Sequence, residues 1–365
     1  MFSINEFLSK ITKVKASDVH LMMGKQPSLR VSGDMVRIDM PALTEDDFDN
    51  ILQTVLHKDM HEKIKDATDL DFTYELKGVS RYRVNYCKDL GMPKLTMRLI
   101  PYEIPTFEDL MLPPSINHFT EFNNGILLIT GATGSGKSTT IASMLENINK
   151  TQRKHIITIE DPIEFLYSDK NCLITQRGLG LDVESFPSGI KYALRQDPDI
   201  IVIGEIRDKE TVEAAIAAAE TGHFVLSTIH TNSATQTINR IIGLFDSDQK
   251  DFIRKRLAIT LKGTIAQKLL PKTEGGLVPA LEIMTSTPAI ADYIAKDKMS
   301  DIEQLIAKAN SPTLCTMNSS IYNLYKLNLI TKETAIESSD NPTELYQMMR
   351  GIYHGLSDPN STDLI

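Results

Sequence analysis

Apolar and polar positions follow two different patterns along the chain. In the first hundred residues, short segments alternate apolar and polar positions as half-buried strands do, and glycines or prolines separate them. A helix-like stretch over residues 44–57 interrupts this series. The strand-like segments are residues 19–22, 28–31, 35–38, 81–86 and 94–100. The pattern predicts a small α+β domain over residues 1–100.

Beyond residue 115, short and fully apolar runs alternate with helix-like stretches. One of these stretches is alanine-rich, covers residues 210–220 and ends before Gly222. The apolar runs are residues 126–129, 156–159, 200–203 and 224–226. This alternation is typical of βαβ units in a parallel sheet, which binds ligands at the carboxyl ends of its strands. We therefore predict an α/β core over residues 116–290.

The segments around this core carry other signals. Four prolines fall within residues 101–115, which predicts a linker between the two domains. Gly275 and Gly276 predict a hairpin inside the core. Residues 300–349 are mostly helix-like, so we assign a helical C-terminal region to residues 291–356 and a disordered polar tail to residues 357–365.

Composition and charge narrow the class of protein. The 365 residues are 41% hydrophobic and 24% charged, which is ordinary for globular domains. A net charge of −9 disfavours broad nucleic-acid binding, so no nucleic acid is expected as a partner. No apolar run is long enough to span a membrane and the first residues do not form a signal peptide, which predicts a cytoplasmic protein. Cys87, Cys172 and Cys315 are expected to be reduced, mostly buried thiols.

The strongest chemical signal is a glycine-rich loop between the apolar run 126–129 and a helix-like stretch. Its glycines allow backbone N–H groups to surround phosphates, Lys137 reaches the β and γ oxygens, and the Ser138 hydroxyl can ligate Mg²⁺. The sequence therefore predicts binding of ATP with Mg²⁺. The predicted phosphate-binding residues are Gly131, Thr133, Gly134, Ser135, Gly136, Lys137, Ser138 and Thr139.

Two acidic segments follow apolar runs and fit the chemistry of hydrolysis. Glu205 comes directly after residues 200–204 and is the candidate acidic group for the Mg²⁺ site. Glu160, Asp161 and Glu164 lie within five positions of one another, and one of them could orient the attacking water. The alternatives are that Glu205 only caps the loop before Arg207 and Asp208, and that the acidic residues form a solvated turn around Pro162.

Histidines and arginines supply weaker candidates. His223 and His230 lie at opposite ends of the apolar run that begins at residue 224, and either could equally be structural. Guanidinium groups suit phosphate oxygens, but composition does not choose among the arginines. The candidates are Arg81, Arg83, Arg98, Arg195, Arg207, Arg240, Arg254 and Arg256.

Together these motifs resemble those of the secretion ATPase superfamily, and most closely those of its type IV pilus retraction ATPases. The resemblance covers almost the whole chain. It includes Ala-Ser-Asp-Val-His-Leu at 16–21, the phosphate loop, the acidic segment 158–164, the run that ends at Glu205, and the histidine segment 221–231. Val-Pro-Ala-Leu-Glu-Ile at 278–283 and Thr-Pro-Ala-Ile at 287–290 complete it.

The resemblance implies a fold and an assembly. A PAS-like N-terminal domain precedes a RecA-like ATPase domain, the protein is a homo-hexamer, and the nucleotide lies between the two domains. An inner-membrane pilus platform protein is the expected partner, with a paralogous pilus ATPase as a further candidate. The protein would then work at the inner face of the cytoplasmic membrane.

Residue roles are also implied by the resemblance. Glu164 would be the catalytic glutamate, Glu205 the Mg²⁺-site glutamate, and Arg81 and Arg83 arginines that close on the phosphates. The expected catalytic residues are thus Lys137, Glu164, Glu205 and His230. The metal is assigned to Ser138 and Glu205. Glu160, His223, Thr133 and Arg195 complete the expected nucleotide-binding set.

Two features bear on the direction of the motor. The long N-terminal extension and four-cysteine zinc element of pilus assembly ATPases are missing, which favours retraction. Retraction ATPases carry Ala-Ile-Arg-Asn-Leu-Ile-Arg-Glu after the Thr-Pro pair, whereas residues 289–296 here have Ala291 and Ala295 at both arginine positions. We expect this segment to be a solvent-facing output surface. An accessory paralogue, a nucleotide-bound modulator of a partner ATPase and a nucleic-acid motor are the alternatives.

Overall fold

The computed structural model of the protein describes residues 2–14, 16–31, 33–57, 60–100, 103–309 and 311–352. The chain forms two compact units. The first extends to Glu103 and takes in the segment Glu164–Leu166, and the second comprises Ile104–Ile163 and the described chain from Tyr167 onward. Pro101 and Tyr102 of the predicted linker and the predicted tail lie outside the described residues.

The first unit contains an antiparallel sheet with one apolar and one polar face. The described strands are ordered β3-β2-β1-β6-β5-β4. In β5, Tyr82, Val84 and Tyr86 are buried whereas Arg83 is exposed, because successive side chains of a strand point to opposite faces. The strands are β1 (Asp18–Met22), β2 (Ser28–Val31), β3 (Asp34–Arg37), β4 (Asp69–Leu76), β5 (Ser80–Asp89) and β6 (Met92–Ile100).

Helices of the first unit share a hydrophobic core with the apolar face of this sheet. The longest begins with a capping box, in which Thr44 and Asp47 each accept a hydrogen bond from the other's backbone N–H. Its buried residues Phe48, Ile51 and Val55 recur at helical spacing. The helices are α1 (Ile4–Ile11), α2 (Glu45–Val55) and α3 (Met60–Asp66).

The second unit contains a mixed, mostly parallel sheet. Its described strands are ordered β14-β13-β12-β7-β11-β10-β8-β9, and the antiparallel pairs among them are β12 with β13 and β13 with β14. Every residue of β7, β10 and β11 is buried, which explains their mostly apolar sequences. The strands are β7 (Gly125–Thr130), β8 (His155–Glu160), β9 (Leu173–Gly178), β10 (Ile200–Ile203), β11 (Phe224–Ile229), β12 (Leu261–Pro271), β13 (Leu277–Thr285) and β14 (Leu314–Cys315).

Helices cover both faces of this sheet. Alternate residues of β7 enter two different cores, Ile126 and Leu128 in one and Leu127 and Ile129 in the other. The helices are α4 (Asn117–Thr120), α5 (Lys137–Thr151), α6 (Phe186–Ala193), α7 (Lys209–Glu220), α8 (Ala234–Gly243), α9 (Lys250–Thr260), α10 (Pro288–Ala295), α11 (Met299–Lys308), α12 (Met317–Lys326), α13 (Lys332–Ser338) and α14 (Pro342–Met349). The predicted α/β fold class and the mostly helical C-terminal region are confirmed.

Two expectations need correction. Residues 104–115, predicted to be part of a linker, belong to the second unit, because Phe107 and Leu112 are buried in the same core as Ile129. The predicted solvent-facing segment 289–296 forms α10, but Ala291 and Ala295 are only partly exposed and Ala295 packs against the core. In addition, neither α1 nor the edge strand β4 was expected from the pattern. Among the described residues, no helix has both the length and the apolar character needed to cross a membrane.

Candidate active site

The predicted nucleotide-binding motifs meet at one edge of the larger sheet. Parallel pairing aligns the carboxyl ends of β7, β11, β10 and β8, which are neighbours in that order. The phosphate loop follows β7, Glu160 ends β8, Glu205 follows β10, and His230 follows β11. Neighbouring strands lie about 4.8 Å apart, so the four strand ends fall within about 15 Å of one another. This edge is the candidate active site.

The phosphate loop has a conformation that requires glycine at two positions. Gly131 and Gly136 have φ angles of 143° and 84°, which L-residues rarely adopt. A Cβ atom at Gly131 would lie 2.4 Å from the backbone oxygen of Gln267, and one at Gly136 would lie 2.8 Å from its Nε2. The loop is therefore packed directly against β12, and its glycines are needed for space as well as for dihedral angle.

Gln267 of β12 holds this loop through both ends of its amide. Its Nε2 donates to the Ser135 carbonyl over 2.7 Å, and its Oε1 accepts from the Thr140 hydroxyl over 2.8 Å. Both hydrogen bonds are buried, so neither group could exchange its partner for water without cost. The sequence analysis missed this residue, although a single amide in the otherwise apolar stretch 263–267 is a detectable signal.

Lys137, the first residue of α5, is bonded to the loop itself. Its Nζ donates to the carbonyl oxygens of Gly131 and Ala132, over 3.0 and 2.8 Å. Within the described residues, the buried hydroxyl groups of Thr130 and Ser135 have no hydrogen-bond partner. Ser135 belongs to the loop itself, where a bound phosphate would supply an acceptor for its hydroxyl group. The loop is thus suited to binding a nucleoside triphosphate.

Glu205 is fixed by contacts with β11. The Thr228 hydroxyl donates to the Gly204 carbonyl over 2.7 Å, and the Ile206 N–H donates to the Thr228 carbonyl over 3.0 Å. These bonds bracket Glu205, whose side chain is 13% exposed and pairs with Arg207. His230 Nε2 lies 3.6 Å from Glu205 Oε2. The structure therefore brings together the predicted metal carboxylate and one of the two predicted histidines.

Glu160 and Glu164 of the acidic segment at the end of β8 belong to different units. Glu160 ends the strand, and its Oε1 accepts a 3.4 Å hydrogen bond from Gln176 of β9. Glu164, the expected catalytic glutamate, lies in the short segment Glu164–Leu166 that groups with the first unit. Its catalytic role stays a prediction.

Two predicted nucleotide-binding residues lie at the opposite edge of the sheet. His223 precedes β11, a strand of six residues, which places it about 20 Å from the carboxyl edge. Its Nδ1 contacts the Ala218 carbonyl over 3.0 Å. Arg195 follows α6 and is exposed, in the connection that leads to the amino end of β10. Strand direction therefore separates His223 and Arg195 from the phosphate loop of the same chain, and their nucleotide-binding role stays a prediction.

Arg81 and Arg83 lie on β5 in the first unit. Arg81 Nη2 donates to the Thr73 hydroxyl over 3.3 Å, whereas Arg83 is exposed and directly opposite Arg98 on β6. Arg98 in turn pairs with Asp18 over 2.8 Å. The side chains of Arg81, Arg83, Arg98 and Asp18 all lie on the polar face of the six-stranded sheet. Their predicted role toward phosphate stays a prediction.

Comparison with known proteins identifies the family. The sequence model of the family described as "Type II/IV secretion system protein" matches residues 2–351. The type IV pilus retraction ATPase PilT of Pseudomonas aeruginosa is 39% identical over 339 residues, which are 93% of this chain and 98% of that protein. The type IV pilus ATPase PilU of the same organism is 34% identical over 335 residues, 92% of this chain and 88% of that protein.

A solved structure agrees with these relatives. A crystal structure of the pilus retraction motor PilT with bound ADP superposes with a TM-score of 0.90 at 41% identity, covering 95% of this chain and 100% of the other. The chain belongs to the family of type II/IV secretion system proteins, and within it to the P-loop ATPases that resemble PilT.

Proposed function

We propose that this protein is a Mg²⁺-dependent, homo-hexameric ATPase that powers pilus retraction at the inner-membrane platform of a type IV pilus. The observation that carries the proposal is the carboxyl edge of the larger sheet, where the phosphate loop, Glu205 and His230 converge. The similarity to PilT over nearly the whole chain supports the retraction role. The expected reaction is hydrolysis of the γ-phosphoryl bond, in which positioning and charge stabilisation dominate.

Lys137 has the clearest role in this chemistry. When ATP binds, its ammonium group exchanges the Gly131 and Ala132 carbonyls for the β and γ oxygens. The loop N–H groups and the N-terminus of α5 bind the same phosphates. Gln267 keeps the loop backbone in place while Lys137 moves, because its own contacts are to Ser135 and Thr140.

Mg²⁺ fits the oxygen donors available at this edge. Ser138 and Glu205 would hold it together with phosphate oxygens and water, which is the usual way that Mg²⁺ binds in nucleotide sites. Within the described ranges, no three His, Cys, Asp or Glu side chains form a ready-made metal cluster, which agrees with a metal that arrives with the nucleotide. When bound, it neutralises charge that develops on the β and γ phosphates.

The ring and its location follow from the same proposal. A hexamer that docks on a platform protein would convert the hydrolysis cycle into removal of pilin subunits. The expected location is the cytoplasmic side of the inner membrane. The net charge of −9 argues against the alternative of a nucleic-acid motor.

The test has three parts. Purified protein should hydrolyse ATP with Mg²⁺ present and stop when EDTA is added, and light scattering after size exclusion should give the mass of six chains. Deletion of the gene in its own organism should leave cells whose pili extend and fail to retract. Absence of turnover under all conditions would favour a nucleotide-bound modulator, and normal retraction after deletion would reject the motor role.

An accessory retraction ATPase is the second candidate. It is favoured by alanine at positions 291 and 295 and by the similarity to PilU. Such a protein would need a partner ATPase for retraction. Retraction restored by this gene in cells that lack every other pilus ATPase of this type would reject that candidate.

A further inference from the structure

Glu282 of β13 joins the start of two helices that are distant in sequence. Its Oε1 accepts a 2.8 Å hydrogen bond from the backbone N–H of Ala234, the first residue of α8. The backbone N–H of Met317, the first residue of α12, also acts on this carboxyl group and lowers its pKa. The first N–H groups of a helix have no partner within the helix, and an anion there is favoured by the helix dipole. The Glu282 carboxyl group is therefore bonded to the start of α8 and lies near the start of α12.

The surroundings of Glu282 disfavour the charged form of its carboxyl group. Burial raises the pKa of the Glu282 carboxyl, in opposition to the two N–H groups, and the nearby acidic residues Asp340 and Glu303 act in the same direction as burial. The Thr235 hydroxyl, one residue further into α8, donates to Glu303 Oε1 over 2.7 Å. Two carboxylates from other elements therefore hold the first turn of α8.

The segment held in this way leads directly to the candidate active site. Only residues 230–233 separate the end of β11 from the start of α8. The Ile229 side chain is buried at one end of this segment and Ala234 is buried at the other. The hydroxyl groups of Thr231 and Thr237 lie 2.7 Å apart and tie the segment to α8. Because both ends are fixed, β11 and α8 together determine where His230 lies relative to Glu205.

We propose that Glu282 is a positioning residue for ATP hydrolysis, which anchors α8 and thereby holds His230 against Glu205. The inference rests on the proposed function, in which His230 and Glu205 act on the nucleotide.

The first test replaces Glu282 by glutamine in the full chain. Glutamine removes the negative charge that the start of α8 favours, and its NH₂ group is a donor where the carboxylate has a second acceptor oxygen. We expect kcat for ATP to fall about tenfold, since small displacements of catalytic groups have large effects on rate. Affinity for a fluorescent ADP analogue should stay within about twofold, because Glu282 does not contact the phosphate loop.

A double-mutant cycle with His230→Ala distinguishes positioning from general damage. If Glu282 acts through His230, then Glu282→Gln should reduce kcat less than about twofold in the His230→Ala background. The same tenfold loss in both backgrounds would overturn the proposal. So would an unchanged kcat for Glu282→Gln alone.

A second variant removes the hydrogen bond from the other side. Ala234→Pro deletes the donor N–H at the first position of α8, where proline is tolerated, and Ser233 before it already has the extended conformation that proline requires. It should reproduce the fall in kcat while Glu282 stays intact. Normal turnover by a folded Ala234→Pro variant would contradict the proposal, even if Glu282→Gln failed to fold.

The matched control is Glu344→Gln. Glu344 accepts a 2.6 Å hydrogen bond from Asn318 and links α12 to α14 without contact to α8 in that bond. Glu344→Gln should leave kcat within about twofold, because it makes the same chemical change at a contact between α12 and α14, away from α8. An equal loss of kcat in Glu344→Gln would mean that Glu282 has only a general structural role. Failure of the proposed function is separate, since the unmodified protein would then lack ATPase activity altogether.

Discussion

The amino and carboxyl edges of the larger sheet carry similar polar residues, but these residues differ in what they contact. At the amino edge, the ring nitrogens of His155 contact the Asp197 carbonyl and the Thr175 hydroxyl over 3.1 and 3.2 Å, and its backbone N–H donates to Asp199 over 2.8 Å. His223 is similarly engaged with Ala218. Polar groups at this edge therefore have their partners within the chain.

At the carboxyl edge the polar groups are arranged around a place for a ligand. Lys137 is bonded to loop carbonyls that a phosphate can replace, and the Thr130 and Ser135 hydroxyls lack partners among the described residues. Helix N-termini and loop N–H groups also point to this edge in a parallel sheet. The comparison teaches that the end of the strand, and not the residue type, separates candidate active residues from structural ones.

The largest effect is expected from Lys137→Ala. Loss of its ammonium group removes charge stabilisation in the transition state and should reduce ATP turnover at least ~100-fold. Lys154→Ala is the control, since Lys154 lies at the amino edge and donates to Asn123 over 2.9 Å. Steady-state phosphate release measures both. Near-normal turnover by Lys137→Ala would remove the phosphate loop from the mechanism.

The next effect concerns the two ends of β10. Glu205→Gln should raise the Mg²⁺ concentration needed for half-maximal turnover by roughly 10- to 100-fold, which is typical when a group that holds or orients a metal is changed. Asp199→Asn, just before the same strand, should not, because an amide oxygen can still accept from the His155 N–H. Mg²⁺ titrations of turnover compare the two variants. Equal curves would mean that Glu205 does not hold the metal.

A smaller effect separates the two histidines. His230→Ala should lower kcat about tenfold, because it removes the ring that lies 3.6 Å from Glu205 Oε2, and a tenfold change corresponds to about 1.4 kcal/mol. His223→Ala should leave kcat within about twofold, since its ring contacts Ala218 at the other edge. If His223→Ala is the more damaging change in the assembled ring, then that edge contributes to a neighbouring subunit's site.

The smallest effect on turnover is expected at α10. Ala291→Arg with Ala295→Arg should change kcat less than twofold, but should cost about 1–3 kcal/mol of unfolding free energy, because both alanines are partly buried. Ala289→Arg, at an exposed position of the same helix, should cost less than about 0.5 kcal/mol. Denaturant melts give the unfolding free energies. Unchanged stability of the double variant would restore the solvent-facing interpretation.

Local patterns account for a large part of the fold. The strands β7, β8, β10 and β11 are evident because burial on both faces requires continuous apolar residues. α2 is evident from Thr44 and its helical spacing of apolar positions. By contrast, the proline-rich stretch 104–115 resembles a linker in sequence, and only the burial of Phe107 and Leu112 places it in a core.

The sequence by itself predicted the phosphate loop, because the residues that bind phosphate are consecutive and their spacing is specific to this kind of site. It also supplied Glu205 and His230 as residues that follow apolar strands. The tertiary structure alone decided that these two lie together while His223 does not, since strand order and direction set that distance. It alone revealed Gln267, which meets Ser135 across 132 positions of sequence, and Glu282, which meets Ala234 across 48. Contacts between residues so far apart depend on which strands are neighbours, and no local pattern carries that information.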